Sequence, residues 1–106
     1  MGDVMVLEVA ILDVEPGREP DFERAFGQAQ RLLTETPGYV SHQLQRCIER
    51  SSRYILLVRW ENLEAHTVGF RRSRSYEEWR GLLHHFYDPF PEVEHYEEVY
   101  GNAGSS

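Results

Sequence analysis

Residues 39–61 read YVSHQLQRCIERSSRYILLVRWE, and this stretch predicts the β-hairpin around which the rest of the fold is arranged. In its first part, residues 39–48, polar and apolar positions alternate. One face would carry Val40, His42, Leu44, Arg46 and Ile48. A period of two is typical of a strand. The second part, residues 53–61, is rich in β-branched and aromatic residues and is the most strand-like segment of the chain. Residues 49–52 predict the hairpin loop.

The chain before the hairpin predicts a strand followed by a helix. Val4 to Val14 is apolar and rich in valine, and Glu15-Pro16-Gly17 is a turn signal. From Pro20 the apolar period becomes helical. The stripe consists of Phe22, Ala25, Phe26, Ala29, Leu32 and Leu33. Pro20 suits a first helical turn, and Thr36-Pro37-Gly38 predicts the end of the helix.

The chain after the hairpin predicts a helix in two pieces and a last strand. Asn62 is a good N-cap for a helix from Leu63 to Phe70. Ser75 and Glu78 match the S-x-x-E capping box, which predicts a second helix over residues 76–87. Residues 88–91, DPFP, end that helix. Residues 92–100 alternate again and predict a strand, and residues 101–106 are a polar tail.

The predicted order is therefore β-α-β-β-α-β. This order is typical of the α+β ferredoxin-like fold, a four-stranded antiparallel sheet with its helices on one face. We expect a single domain over residues 1–106, with an ordered core of about residues 4–100.

The sheet also predicts a partner. YILLVR in the third strand and VMVLEVAIL in the first are apolar at both odd and even positions, whereas a strand with one wet face alternates. The helices can cover one face only. A second copy of the same sheet is the simplest cover for the other, so we expect a homodimer packed sheet to sheet. The alternative is that both strands are merely central and apolar.

Composition excludes several classes of protein. The chain has 106 residues, a net charge of −7, one cysteine, and 11 basic residues that are all arginine. One cysteine excludes a disulfide scaffold and, alone, a zinc or iron–sulfur site. The acidic balance argues against nucleic-acid binding, and the missing lysine excludes Schiff-base chemistry. No segment reads as a membrane span or signal peptide, so a cytoplasmic protein is expected.

The candidate site residues lie after the hairpin. Seven aromatic residues crowd into about thirty positions: Trp60, Phe70, Tyr76, Trp79, Phe86, Tyr87 and Phe90. They predict either an ordinary core or an aromatic pocket for a flat ligand. His66 shares a helical face with Leu63, Thr67 and Phe70 and points inward, either as a hydrogen-bonded core residue or as a proton-transfer group. Arg80 flanks the buried stripe of the next helix, either as a surface ion pair or a stem packed over apolar surface, or as a group that stabilises an anionic oxygen. Residues 71–74 (RRSR) are expected to form a solvated connector.

The segment from Trp60 to Arg80, W-E-N-L-E-A-H-T-V-G-F-R-R-S-x-S-Y-E-E-W-R, resembles the signature of antibiotic biosynthesis monooxygenase (ABM) domains. Residues 37–39 (PGY) and 14–17 (VEPG) resemble the same family, and the resemblance covers roughly residues 5–100. That family holds cofactor-independent monooxygenases acting on polycyclic phenols and quinols, haem-degrading enzymes, a signal-molecule isomerase and many uncharacterised members. Its members are typically dimeric ferredoxin-like barrels, which agrees with the sheet argument.

The resemblance carries over residue by residue. In the family's monooxygenase that makes aromatic polyketide quinones, a tryptophan ends the third strand and an arginine lies in a following helix; Trp60 and Arg80 match them. His66 stands where that enzyme has a tyrosine, and Leu56 replaces its asparagine, a departure that bears on substrate and mechanism. The haem-degrading branch matches less well. Its three characteristic residues fall near Ala10, at Gly69 or Phe70, and at Trp79 or Arg80, so haem degradation is disfavoured.

The resemblance thus implies a cofactor-independent monooxygenase that oxidises a quinol or phenol-like substrate with O2, with no metal. Such an enzyme must deprotonate its substrate to an electron-rich anion and keep the pocket dry. The hypothesis gives His66 the base role and Arg80 the anion-stabilising role. The substrate-binding residues are Trp60, Phe70, Tyr76 and Trp79. The alternatives are a non-catalytic ligand-binding ABM domain and an isomerase acting on a small metabolite.

Overall fold

A computed structural model describes residues 5–101 of the chain. Its four strands are β1 (Val6–Asp13), β2 (Tyr39–Arg46), β3 (Arg53–Trp60) and β4 (Val93–Tyr96). The helices are α1 (Glu19–Thr34) and α2 (Arg74–Leu83), with a π-helical segment, Ala65–Phe70, before α2 and a 3₁₀ turn, His84–Phe86, after it. The predicted order of elements, with a split second helix, is confirmed. The predicted first residue of the first strand, Val4, and most of the polar tail lie outside the described residues.

The strands form one antiparallel sheet in the order β2-β3-β1-β4, with both helices on one face. This is the ferredoxin-like arrangement. Residues on β1 and β3 alternate between a buried helix-side face and a more open outer face. Ala10, Leu12, Leu56 and Val58 point to the helices and are at most 3% exposed. The core therefore lies between the helices and one face of the sheet.

Helix α1 supplies the other half of that core. Its buried residues are Phe22, Phe26, Ala29, Leu32 and Leu33. All five belong to the predicted stripe, in which the remaining residue, Ala25, is partly buried. Pro20 stands in the first turn as expected. Gly38, with φ of +89°, follows the helix and turns the chain into β2.

Four local predictions differ from the structure. The helix predicted over residues 76–87 spans Arg74–Leu83, and the chain then forms the 3₁₀ turn His84–Phe86. The N-cap of α2 is Ser73, whose Oγ accepts the Tyr76 backbone N–H at 3.1 Å, so the Ser75 capping box is wrong. The cap works two residues earlier because Arg74 and Ser75 already form the first helical turn. The second and fourth strands end at Arg46 and Tyr96, earlier than predicted. The last ladder pair of β2 joins Arg46 to Tyr54, next to the hairpin loop, and the last pair of β4 joins Tyr96 to Leu7, near the start of β1. Among residues 5–101, no helix has the length and apolar character that crossing a bilayer requires.

Candidate functional site

A narrow cavity lies between the helix-side face of the sheet and the split second helix. Its volume is about 40 Å³. β1 contributes Glu8, Ala10 and Leu12 to its wall. The opposite wall is mostly aromatic, formed by Phe70, Tyr76, Trp79, Tyr87 and Phe90, and the polar lining consists of Glu8, His66, Arg71 and His84. A mainly apolar hollow with a few polar groups is the usual form of a small-molecule site.

Glu8 is the most unusual of these residues. It lies on the helix-side face of β1, between apolar neighbours, and is 6% exposed. Its Oε1 accepts a hydrogen bond from Trp60 Nε1 at 2.9 Å. Burial raises the pKa of the Glu8 carboxyl to about 7, against the smaller opposing effects of the Trp60 hydrogen bond and the Arg71 charge. A carboxyl near half-ionisation at neutral pH can accept or donate a proton.

His66 lies beside Glu8, as the inward-facing prediction required. It is 2% exposed, and its Nε2 lies 3.3 Å from Glu8 Oε1. Its other nitrogen, Nδ1, is hydrogen-bonded to His95 Nε2 at 2.7 Å. Burial, with smaller contributions from Arg71 and His95, lowers the pKa of His66 to about 3. His66 is therefore a neutral imidazole at physiological pH.

The π-helical segment and β3 hold this histidine in place. Asn62 Oδ1 accepts the Ala65 N–H at 2.9 Å, which confirms Asn62 as a cap at the start of the segment. The imidazole of His66 stacks on the Trp60 indole, with ring centroids 5.4 Å apart and planes 23° apart. Phe70 also stacks on the imidazole, with ring centroids 6.2 Å apart, and lies 5.9 Å from the Trp60 ring, so the three rings pack as one cluster. A π-helical turn is often found at a functional site, because its wider ring shifts side chains relative to an α-helix.

Arg71 supplies the positive charge at this cavity. It follows the π-helical segment, is exposed overall, and its guanidinium lies 5.7 Å from the centroid of the Tyr76 ring. Its charge also helps to lower the pKa values of Glu8, His66, His84 and His95, which shows that it lies within electrostatic reach of all four. Arg71 makes no ion pair with a residue in the described part of the chain.

The structure brings five of the six predicted site residues together. His66, Phe70, Tyr76 and Trp79 line the cavity, and Trp60 packs behind His66. Arg80 is not among them. Its side chain is 54% exposed on the outer side of α2, 3.9 Å from Glu77. Arg71 was expected to be a solvated connector, and it occupies the position at the cavity that was predicted for Arg80.

Sequence reasoning missed Glu8 and His95. The signal for Glu8 was present, since it is an acidic residue at an inward position of an otherwise apolar strand. A buried carboxyl is costly and therefore has a specific cause. His95 carried no such signal, because its contact with His66 depends on how β4 pairs with β1. Among residues 5–101, no cluster of three or more histidine, cysteine, aspartate or glutamate side chains is arranged to bind a metal.

Comparisons with known proteins place these residues in a family. A family model described as antibiotic biosynthesis monooxygenase matches residues 5–82. An uncharacterised protein from Bacillus subtilis, YczJ, is 50% identical over 95 residues, which cover 90% of this chain and 100% of that protein. A haem oxygenase (mycobilin-producing) from Mycobacterium tuberculosis is 28% identical over 60 residues, 57% of each chain.

Two solved structures show the same architecture. A protein from Bordetella bronchiseptica that bears the same family name has a TM-score of 0.88 and 39% identity, covering 92% of this chain and 100% of that one. A monooxygenase from Streptomyces coelicolor, ActVA-Orf6, solved with the ligand nanaomycin D, has a TM-score of 0.81 and 21% identity. It covers 96% of this chain and 94% of that one. At that identity the likeness concerns the fold.

Proposed function

The chain belongs to the antibiotic biosynthesis monooxygenase family, and we propose that it is a monooxygenase that oxidises a small hydroxylated aromatic compound with O2 and without a cofactor. The observation that carries the proposal is the pair of Glu8 and His66 in the wall of an aromatic cavity that also has Arg71 in its lining. Such a site has a proton acceptor, flat apolar walls and a positive charge, which are the parts that this chemistry requires.

Glu8 is the base in this proposal. It loses its own proton near neutral pH, so a large fraction of the protein holds a carboxylate ready to take a proton from the substrate hydroxyl. His66 was the expected base, but a pKa of about 3 makes its neutral ring a weak proton acceptor. These pKa values support Glu8 as the group that takes the proton from the substrate hydroxyl. His66 lies next to it as the residue with which Glu8 exchanges a proton.

Arg71 and the aromatic walls act on the anion that results. A guanidinium in the lining of a narrow, mainly apolar cavity stabilises a phenolate more than it would in bulk water. The ring of the substrate would lie against Phe70, Tyr76 and Trp79, which contact one another edge to face. Exclusion of water protects the anion and the radical formed from it.

The reaction balances without another reductant. The phenolate gives one electron to O2, the two radicals combine at a ring carbon that bears hydrogen, and a hydroperoxide forms after proton uptake. Loss of water from the hydroperoxide leaves a carbonyl at that carbon. The substrate thus loses two hydrogens and gains one oxygen, and the second oxygen atom leaves as water.

The cavity has to widen for an aromatic ring to enter. Its volume of about 40 Å³ has room for small molecules of the size of water or O2. Phe90, at the cavity wall, is 63% exposed and belongs to the segment between the 3₁₀ turn and β4, which has no regular structure. We expect this side of the cavity to open for the substrate.

Oxygen uptake against a panel of quinols and hydroxylated aromatics tests the proposal. The wild-type chain should consume O2 with at least one member, and Glu8→Gln should lower the rate by a factor of about 100 or more, since general-base catalysis typically contributes that much. Glu61→Gln is the matched control, because Glu61 is exposed at the end of β3 and outside the cavity. It should retain the wild-type rate.

Two outcomes would contradict the proposal. Tight binding of an aromatic ligand without O2 uptake would identify a binding domain, and conversion without O2 would identify an isomerase. Haem spectra recorded alongside test whether this chain has the haem-degrading activity of the mycobacterial relative. If the chain bound haem and consumed O2 with loss of the haem absorbance, haem degradation would replace our proposal.

A further inference from the structure

We infer that Glu8, His66 and His95 form a proton relay that carries a proton from the cavity to solvent at the edge of the sheet, with His95 as its outer end. Its purpose rests on the proposed function, in which Glu8 takes a proton from each substrate molecule and must lose it again. The existence of the relay and the experiment that tests it do not depend on the proposed function.

The three residues lie in a line from the interior to the surface. Glu8 and His95 are directly paired across β1 and β4, so their side chains are on the same face of the sheet. β4 is an edge strand, and His95 is half-buried, whereas Glu8 and His66 are 6% and 2% exposed. His66 bridges the other two residues from the π-helical segment, 3.3 Å from Glu8 Oε1 and 2.7 Å from His95 Nε2.

His66 is connected to its two neighbours through opposite ring nitrogens, and His95 receives this contact at Nε2 and keeps Nδ1 for solvent, which is the arrangement that a relay needs. In the loaded state the Glu8 hydroxyl faces His66 Nε2, His66 Nδ1–H donates to His95 Nε2, and His95 Nδ1–H is left for solvent. When each hydrogen moves one position outward, Glu8 becomes a carboxylate and a water receives the proton from His95. His66 and His95 end as the other neutral tautomers. One proton enters at Glu8 and one leaves from His95; only O–H and N–H bonds break and form, and no bond between heavy atoms changes.

The surroundings favour this concerted shift over a charged imidazolium. Burial, together with the positive charge of Arg71, lowers the pKa values of both His66 and His95. The other charged or titratable groups that line the cavity beside the relay are Arg71, Tyr76, His84 and Tyr87, and Arg71 disfavours any further cation. A proton that stopped on either histidine would therefore be unfavourable, while the tautomer shift leaves both imidazoles neutral and only the Glu8 carboxylate charged.

Glu8 has little other access to water. The same carboxylate oxygen also accepts the hydrogen bond from Trp60 Nε1 at 2.9 Å, and Trp60 is itself fully buried. The cavity that Glu8 faces is narrow and mainly apolar. When a substrate fills that cavity, the path through His66 and His95 is the one that stays connected to the surface.

Trp60 provides a built-in probe of the relay, since its indole N–H donates to Glu8 and its fluorescence should change when Glu8 ionises. A Trp79→Phe background removes the second tryptophan. Protons released by a laser-flashed caged compound then lower the pH across the Glu8 pKa, and the fluorescence relaxation gives the rate at which Glu8 is protonated. This measurement uses the whole chain and needs no substrate.

His95→Gln is the decisive variant, because a glutamine can still donate to His66 Nδ1 but cannot pass a proton on. We expect it to slow the relaxation about tenfold or more while its amplitude and the Glu8 pKa remain near the wild-type values. In His95→Ala, added imidazole should restore the rate. His85→Gln, an exposed histidine outside the relay, is the control and should relax as the wild type does.

A relaxation in His95→Gln as fast as in the wild type would overturn the relay. So would equal slowing in His85→Gln, or a lost rate that imidazole does not restore. Failure of the oxygenase proposal appears in a different experiment, as absent O2 uptake, and leaves this relaxation unchanged.

Discussion

At the scale of the residue, Glu8 decides what the site can do. A carboxylate on the helix-side face of β1 is taken out of water, and its main compensation is one hydrogen bond from Trp60. The protein therefore favours the protonated form, and the residue titrates where a general base is useful. The same desolvation acts on His66 with the opposite sign and keeps the imidazole neutral. The difference between the raised pKa of Glu8 and the lowered pKa of His66, rather than either value alone, sets the roles of the two groups.

The raised pKa of Glu8 makes the stability of the protein depend on pH. Because the folded-state pKa is raised from 4.5 to about 7, the native state holds a proton that the unfolded chain has lost between these two values. Stability is therefore lost as the pH rises through this window, by about 3 kcal/mol in total. Glu8→Gln has no such proton, so it should be more stable than the wild type by up to about that amount at pH 8 and much closer to it below pH 4.5.

Urea unfolding at a series of pH values measures this difference. His66 contributes an opposite slope, since its lowered pKa makes stability fall as the pH drops from 6.5 to about 3, but it is present in both proteins and cancels in the comparison. Glu61→Gln, at an exposed glutamate, should follow the wild-type curve. A Glu8→Gln protein whose advantage did not grow with pH would show that Glu8 ionises normally in the native state.

How far the site follows from the sequence is also decided residue by residue. His66, Phe70 and Trp79 were predictable because helical spacing fixes which side chains point inward. Helical spacing could not decide whether Arg80 or Arg71 lies at the cavity, since both flank the buried stripes of short helices. The wider π-helical turn and the Ser73 cap set the rotation that leaves Arg71 at the cavity and Arg80 outside. These are tertiary effects that a periodic pattern does not contain.

At the scale of the element, the predicted strands and helices agree with the structure where one sequence pattern was strong. The predictions were less accurate at the ends of the elements. β1, α1 and β3 have long apolar runs or stripes, and their bounds agree with prediction to within two or three residues. β4 was predicted over nine residues and spans four, Val93–Tyr96. Its length is set by its contact with β1, its neighbour in the sheet, rather than by its own alternation.

Gly38 couples two of these elements, and its replacement tests that coupling. It precedes β2 with φ of +89°, and a Cβ there would lie 2.6 Å from the Ala65 Cβ in the π-helical segment. Gly38→Ala should therefore lose stability both from backbone strain, about 1–2 kcal/mol, and from the clash. Thermal or urea unfolding measures the loss.

Gly17 gives the matched control for this prediction. Its φ is +93°, but a Cβ at Gly17 would have no neighbour within 4 Å, so Gly17→Ala should show the strain alone. Adding Ala65→Gly to Gly38→Ala should recover the clash part of the loss. Equal losses in Gly17→Ala and Gly38→Ala would show that the close approach of Gly38 and Ala65 does not affect stability.

At the scale of the whole molecule, the two faces of the sheet differ in what covers them. The helix-side face is closed by α1, α2 and the π-helical segment. The outer face has an apolar centre made of Leu7, Val9, Ile11, Ile55 and Leu57, of which Ile11 is 39% exposed. The flanking residues of β2 and β4 on that face, such as Gln43 and Glu94, are polar. An apolar centre with a polar rim is the usual composition of a protein–protein interface.

We propose that a second copy of the chain covers this outer face, as the apolar strands predicted. Leu57 lies at its centre, paired with Val9 across the two central strands. A charge at this position would be buried without a partner in a dimer but is tolerated at a half-exposed position of a monomer. Leu57→Glu should therefore weaken self-association about 100-fold or more while leaving the fold intact. Sedimentation equilibrium measures the association, and circular dichroism the fold.

Val68→Glu, at a 47% exposed position on the helical side, is the control and should associate as the wild type does. A wild-type chain that sediments as a monomer, or a Leu57→Glu chain that still associates fully, would mean that this face is not the interface between copies.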